Sequence, residues 1–225
     1  MTSKGSKSRK RSRGRLLTIS GIIAMILLEA VNTFSSLHLD GCALVVGLAS
    51  FFIVEAVSVT HRKKSGLRFK TIPADLKKPG VLFVLLLPIA SAIVSYFLGK
   101  LLLGNRIVEH VLARISPMLS LSKIPLLAGQ LIMGALIEEI AFRGFFVGKG
   151  MKLFPVWMCV LVSSAVFAAG HYYPGDTAVV TFDLLFVFID SLIFSAIYRK
   201  TGNCVVSAIA HFLANSVGLI LLFAC

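Results

Sequence analysis

The apolar run that opens at Ile124-Pro125-Leu126-Leu127-Ala128 closes on Glu138-Glu139-Ile140-Ala141-Phe142-Arg143-Gly144. Its length and apolar character suit a membrane-spanning helix, yet it carries two adjacent carboxylates and a guanidinium. A charged side chain at the bilayer centre costs about 2.5 to 3.5 kcal/mol on translocon scales, so an intramembrane acidic pair marks a candidate site. The spacing gives the two acids different surroundings. Glu139 and Arg143 share a helix face at i, i+4, where an ion pair can form. The 3.6-residue period turns Glu138 by about 100° from Glu139, so it can point elsewhere. One carboxylate is thereby tied up and the other left free.

Around this stretch lies a chain of 225 residues, 57% hydrophobic and 15% charged, with a mean hydropathy of +0.90. A soluble domain is about 45 to 50% apolar, so the composition predicts an integral membrane protein. A span needs about 20 mostly apolar residues. Seven stretches qualify: 16–37, 41–60, 80–103, 124–147, 155–172, 178–198 and 204–224. The expected fold is all-α, a polytopic transmembrane helical bundle of about seven spans. Residues 1–15 form a basic, disordered cytoplasmic tail and 16–225 a single transmembrane domain. The tail followed by an apolar run is not a signal peptide, because 16–37 is long enough to span and no small-residue cleavage pattern follows it.

The net charge of +13 suits lipid headgroups and topology rather than nucleic acid, since no aromatic and basic groove accompanies it. With the amino terminus in the cytoplasm, 19 of the 23 Lys and Arg fall on the cytoplasmic side. Only Lys100, Arg106, Arg114 and Lys123 fall on the other, which predicts that orientation. The short basic chain looks bacterial, and its expected setting is the plasma membrane. Cys42, Cys159, Cys204 and Cys225 show no paired spacing and are expected to be free thiols.

Other polar positions carry structural expectations. Segment 104–123 is amphipathic in part, with Ile107, Val108, Val111, Leu112 and Ile115 set against Arg106, Glu109, His110 and Arg114, and reads as an interfacial helix on the outer face. Asp183 and Asp190 share a face of the sixth span and either line a cavity or bond between helices. Glu29 and Asn32 fall in the first span, and Glu55 lies near enough to a helix end to reach towards Arg62 or Lys63. Gly129, Gly134, Ala135 and Ala168-Ala169-Gly170 read as close-packing positions.

Two more polar clusters follow the acidic pair: Phe167-Ala168-Ala169-Gly170-His171, and His211-Phe212-Leu213-Ala214-Asn215, where His211 and Asn215 share a face. Each alone is weak, because a lone intramembrane His is commonly an interhelical hydrogen-bonder. Together they offer a carboxylate, two imidazoles and a carboxamide, groups able to activate water and hold an oxyanion. EExxxR at 138–143, FxxxH at 167–171 and HxxxN at 211–215, in that order, closely resemble the signature motifs of the CPBP family of intramembrane proteases. That family includes type II CAAX prenyl endopeptidases, bacteriocin-processing proteins and lysostaphin-resistance-protein-A-like proteins. Tyr198-Arg199-Lys200-Thr201-Gly202-Asn203 resembles the family's lead-in to the third motif, and the resemblance covers about 120–225.

The resemblance implies that Glu138 polarises the attacking water, that His171 helps hold it, and that His211 and Asn215 stabilise the oxyanion. Glu139 and Arg143 would shape the site. No metal is expected: a carboxylate with two His could ligate zinc, but the chain lacks HExxH and a glutamate-activated water needs no ligated metal. The implied partner is a membrane-associated peptide or protein substrate: a CAAX-type tail, a bacteriocin leader or a regulatory membrane protein. Two alternatives stay open, a non-proteolytic immunity or scaffold protein and a proton-coupled transporter using Glu138, His171, Asp183, Asp190 and His211. At about 1.5 Å per residue, Glu138 and His211 lie roughly 14 and 11 Å from their cytoplasmic helix ends, but His171 lies roughly 24 Å from Pro155. The family reading therefore requires the fifth helix to start later or to tilt.

Overall fold

The computed structural model describes residues 2–35, 37, 39–57, 66–117, 119–120 and 123–224. Among them every regular element is helical. The helices are α1 Thr2–Phe34, α2 Cys42–Val57, α3 Ile72–Leu76, α4 Val81–Leu103, α5 Arg106–Ile115, α6 Ile124–Gly150, α7 Val156–Ala169, α8 Thr177–Thr201 and α9 Cys204–Ala224. Five are long and apolar enough to cross a membrane: α1 from Lys10, α4, α6, α8 and α9. The second and fifth expected spans, α2 and α7, are apolar but shorter. This is an all-α membrane bundle. Residues 58–60 of the second expected span lie outside the described residues.

Local chemistry accounts for most boundaries. Pro125 sits in the first turn of α6, where its missing N–H costs nothing. Asp176 caps α8, accepting from the Ala178 and Val179 amides at 3.0 and 3.2 Å. Gly202 ends α8 with φ 67°, a left-handed conformation that favours glycine. At the other end of the chain α1 runs back to Thr2, through the tail expected to be disordered. A long apolar helix downstream removes the nucleation cost, and Lys, Arg and Ser extend a helix more readily than they start one.

The core gathers around the second half of α6. Ile140 to Val147 are all buried, and their backbone is wound as a π-helix, with Gly148 N–H bonding to Arg143 O. Met25 of α1, Phe51 and Val54 of α2, Phe167 of α7, Tyr198 of α8 and Cys204 of α9 close round this segment. Gly148 is required here: a Cβ on it would stand 2.2 Å from Tyr198 Oη and 2.9 Å from Arg143 O. Lys149 is buried too, paired with Glu55 of α2 beneath the Phe51 ring.

That pairing answers one expectation with a different partner: Glu55 meets Lys149, while Arg62 and Lys63 lie outside the described residues. Gly129 and Gly134 have nothing within 4 Å of an added Cβ, so they are not close-packing positions. They lie on the early part of α6, where most side chains are exposed or half-buried. Ala135 is buried as expected. Cys42, Cys159 and Cys204 are free, and Cys225 lies outside the described residues.

Candidate active site

Glu139 is the most enclosed acid of the site, with no exposure, and each of its oxygens is engaged. Oε1 pairs with Arg143 Nη1 at 2.9 Å and stands 3.2 Å from His211 Nδ1, while Oε2 accepts from Ser207 Oγ. Arg143, also fully buried, donates Nη2 to Ser191 O at 3.0 Å and to Ser191 Oγ at 2.7 Å. Its guanidinium lies 4.6 Å from the Phe167 ring centroid, 5.3 Å from that of Phe194 and 6.0 Å from that of Phe142. Aromatic faces supply electrostatic attraction to a cation that water cannot reach. The i, i+4 pair read from the sequence is thus a buried anchor shared by α6, α8 and α9.

Glu138 behaves otherwise. Its side chain keeps a quarter of its exposure, and Oε2 is buried with no hydrogen-bond partner among the described residues. That oxygen stands 3.7 Å from His211 Nε2, too far for a direct hydrogen bond. The adjacent glutamates therefore differ in circumstance: Glu139 is saturated and Glu138 is not.

Both imidazoles have assigned tautomers by elimination. His211 Nδ1 faces a carboxylate that accepts, and His171 Nδ1 lies 2.8 Å from Phe167 O, which only accepts. Each Nδ1 therefore carries a proton. His211 is clamped further by stacking on Phe194 at 4.5 Å, and Phe167 lies 4.6 Å from His171 and 6.0 Å from His211. Phe167 thus holds the second motif at the level of the other two. Since α7 starts at Val156, directly after Pro155, a late start does not account for the depth of His171.

Asn215 stands one turn along α9 from His211 and is exposed. Three contributors escaped sequence reading. Ser207 lies four residues before His211 on the same face, a signal that was available. Ser191 sits unmarked within an apolar helix. Arg114 of α5 pairs with Asp183 Oδ1 at 3.1 Å. Asp183 is also 3.4 Å from His110 Nε2, so it holds α5 against α8. Asp190 has one oxygen buried without a hydrogen-bond partner among the described residues, and Asn32 bonds to Asp40 at 3.1 Å and to the Leu39 amide at 2.9 Å.

Among the described residues no group of three His, Cys, Asp or Glu side chains lies close enough together to hold a metal ion.

Taken together, these features define a polytopic helical membrane protein whose late helices converge on one carboxylate and imidazole cluster. Residues 120–217 match the family described as type II CAAX prenyl endopeptidase Rce1-like. The matched segment holds all three motifs, so over these residues the chain is similar to a family of CAAX-type endopeptidases, and its apolar helices make it an integral membrane protein. Neither the curated proteins nor the solved structures gave a match.

Proposed function

We propose that the protein cleaves a membrane-anchored peptide or protein tail using a water activated by Glu138. The observation that carries this reading is the unpartnered Oε2 of Glu138 facing His211 Nε2, beside a Glu139 that is fully engaged. Glu138 takes a proton from water as the oxygen attacks the scissile carbonyl carbon, and His171 Nε2 accepts the water's other hydrogen. The carbonyl becomes an oxyanion, stabilised by the Asn215 amide and by His211, whose Nε2 receives the proton from Glu138 and hands it back before the amine leaves. The C–N bond then breaks, and Glu138 returns its proton to the leaving amine. General base catalysis of this kind is worth about 10² to 10⁴ in rate, and one oxyanion donor about 10² to 10³.

Glu139 and Arg143 act as positioning groups that hold His211 in the required tautomer. A CAAX-type tail is the substrate class most in line with the family match, and entry from the cytoplasm follows from the charge asymmetry. The test is cleavage of a membrane-anchored peptide library by the purified protein in liposomes. Wild type should cleave, and Glu138→Ala and His171→Ala should not while remaining folded. A Glu138→Ala variant of full activity overturns the reading.

A further inference from the structure

The amphipathic helix α5 is bound to the rest of the protein through polar contacts that a simple interfacial helix does not need. Arg106 reaches Asp176 at 3.4 Å, the His110 ring lies 5.7 Å from that of Tyr173, and Arg114 pairs with Asp183 at 3.1 Å. Tyr173 is two residues beyond His171, so α5 lies against the chain that leaves the second motif. Arg114 is mostly buried and its Nε has no hydrogen-bond partner among the described residues. A guanidinium offers five N–H donors in a fixed fork suited to a carboxylate. Asp183 takes one arm and leaves a buried donor unused.

We infer that Arg114 binds the terminal carboxylate of the substrate and so restricts cleavage to a bond near a carboxyl terminus. This inference rests on the protease reading and adds the group that measures the distance from the chain end. Position supports it. Along α8, Asp183 lies eight residues before Ser191, the partner of Arg143, or about 12 Å. Along α6, Glu138 precedes Arg143 by five residues, about 7 Å. Arg114 therefore sits beyond Glu138 along the bundle, towards the amino-terminal ends of α6 and α8. A tail entering terminus first places its carboxylate beyond the scissile bond, and three extended residues reach at most about 10 Å. Three is the number of residues that follow the cysteine of a C-a-a-X tail.

The experiment uses the full chain in phosphatidylglycerol and phosphatidylethanolamine vesicles. Its substrate is an acyl-anchored peptide library with the last four positions randomised, prepared once with a free carboxylate and once as the carboxamide. Wild type is expected to cleave the acid form with kcat/KM about tenfold or more above the amide, the scale of a hydrogen bond to a charged group. The paired variant Arg114→Gln/Asp183→Asn, which leaves no buried acid unpaired, is expected to bring the two forms within about twofold by losing rate on the acid alone. Equal cleavage of both forms by wild type overturns the inference and leaves the protease reading standing, and this comparison needs no variant. A preference that survives in the paired variant also overturns it. Cleavage of neither form by wild type removes the protease reading and the inference with it.

Discussion

Replacing Arg143 by Leu is expected to cost the fold about 4 kcal/mol. The side chain has no exposure and joins α6 to α8: Nη1 pairs with Glu139, and Nη2 bonds twice to Ser191. Removing one partner of a buried ion pair costs about 3 to 5 kcal/mol, because the other charge stays buried without compensation. The orphaned Ser191 carbonyl adds about 1 to 3 kcal/mol, though terms in one network do not sum in full. Arg143→Lys keeps a cation opposite Glu139 and loses the fork to Ser191, so it is expected to cost about 1 to 2 kcal/mol. Glu139→Leu/Arg143→Leu removes both charges together and should recover most of the single-variant loss. Thermal unfolding of the purified variants in detergent micelles, followed by circular dichroism, gives the order. An Arg143→Leu protein within about 0.5 kcal/mol of wild type, or a double variant no better than the single, refutes the buried-anchor reasoning.

Three further outcomes are expected. Gly148→Ala should destabilise by about 1 to 3 kcal/mol through overpacking, since its Cβ meets Tyr198 Oη at 2.2 Å. Adding Tyr198→Phe should recover only part of the loss, because Arg143 O at 2.9 Å remains, and a melting curve of each variant checks both statements. At Asp75, on the connection outside the spans, burial acts to raise the carboxyl, but hydrogen bonds from Lys78, Asn203 and Thr71 and the charge of Lys78 outweigh it and hold the group below its ordinary value. With the unfolded reference near about pH 3.9, its stabilisation is complete above that pH and lost as pH falls through the lower folded value. Melting temperature against pH should show an acid limb that is shallower in Asp75→Asn. Asn215→Ala should leave the melting temperature unchanged, as the side chain is exposed, and lower turnover by about 10².

The sequence exposed the site better than it exposed the shell around it. The i, i+4 pairing of Glu139 with Arg143 and the divergence of Glu138 follow from helix period alone, and both hold in the structure. Seven apolar runs correspond to seven helices, although α2 and α7 come out short. What the period could not reveal is its own failure: Ile140 to Val147 are wound as a π-helix, buried against α1, α2 and α9. The partners of buried charges were equally hidden, because Lys149 reads as a loop cation until α2 brings Glu55 against it. Arg114 looked like the polar side of a surface helix, and only the tertiary contact with Asp183 turns it inward.

The central claim is that two neighbouring glutamates do different work, and the side-by-side measurement of Glu138→Gln and Glu139→Gln tests it. In liposomes carrying a cleavable anchored peptide, Glu138→Gln is expected to retain the wild-type melting temperature and lose about 10² to 10⁴ in turnover, whereas Glu139→Gln is expected to lose stability through Arg143. Turnover by Glu138→Gln within a few-fold of wild type, with Glu139→Gln inactive but equally stable, contradicts the assignment.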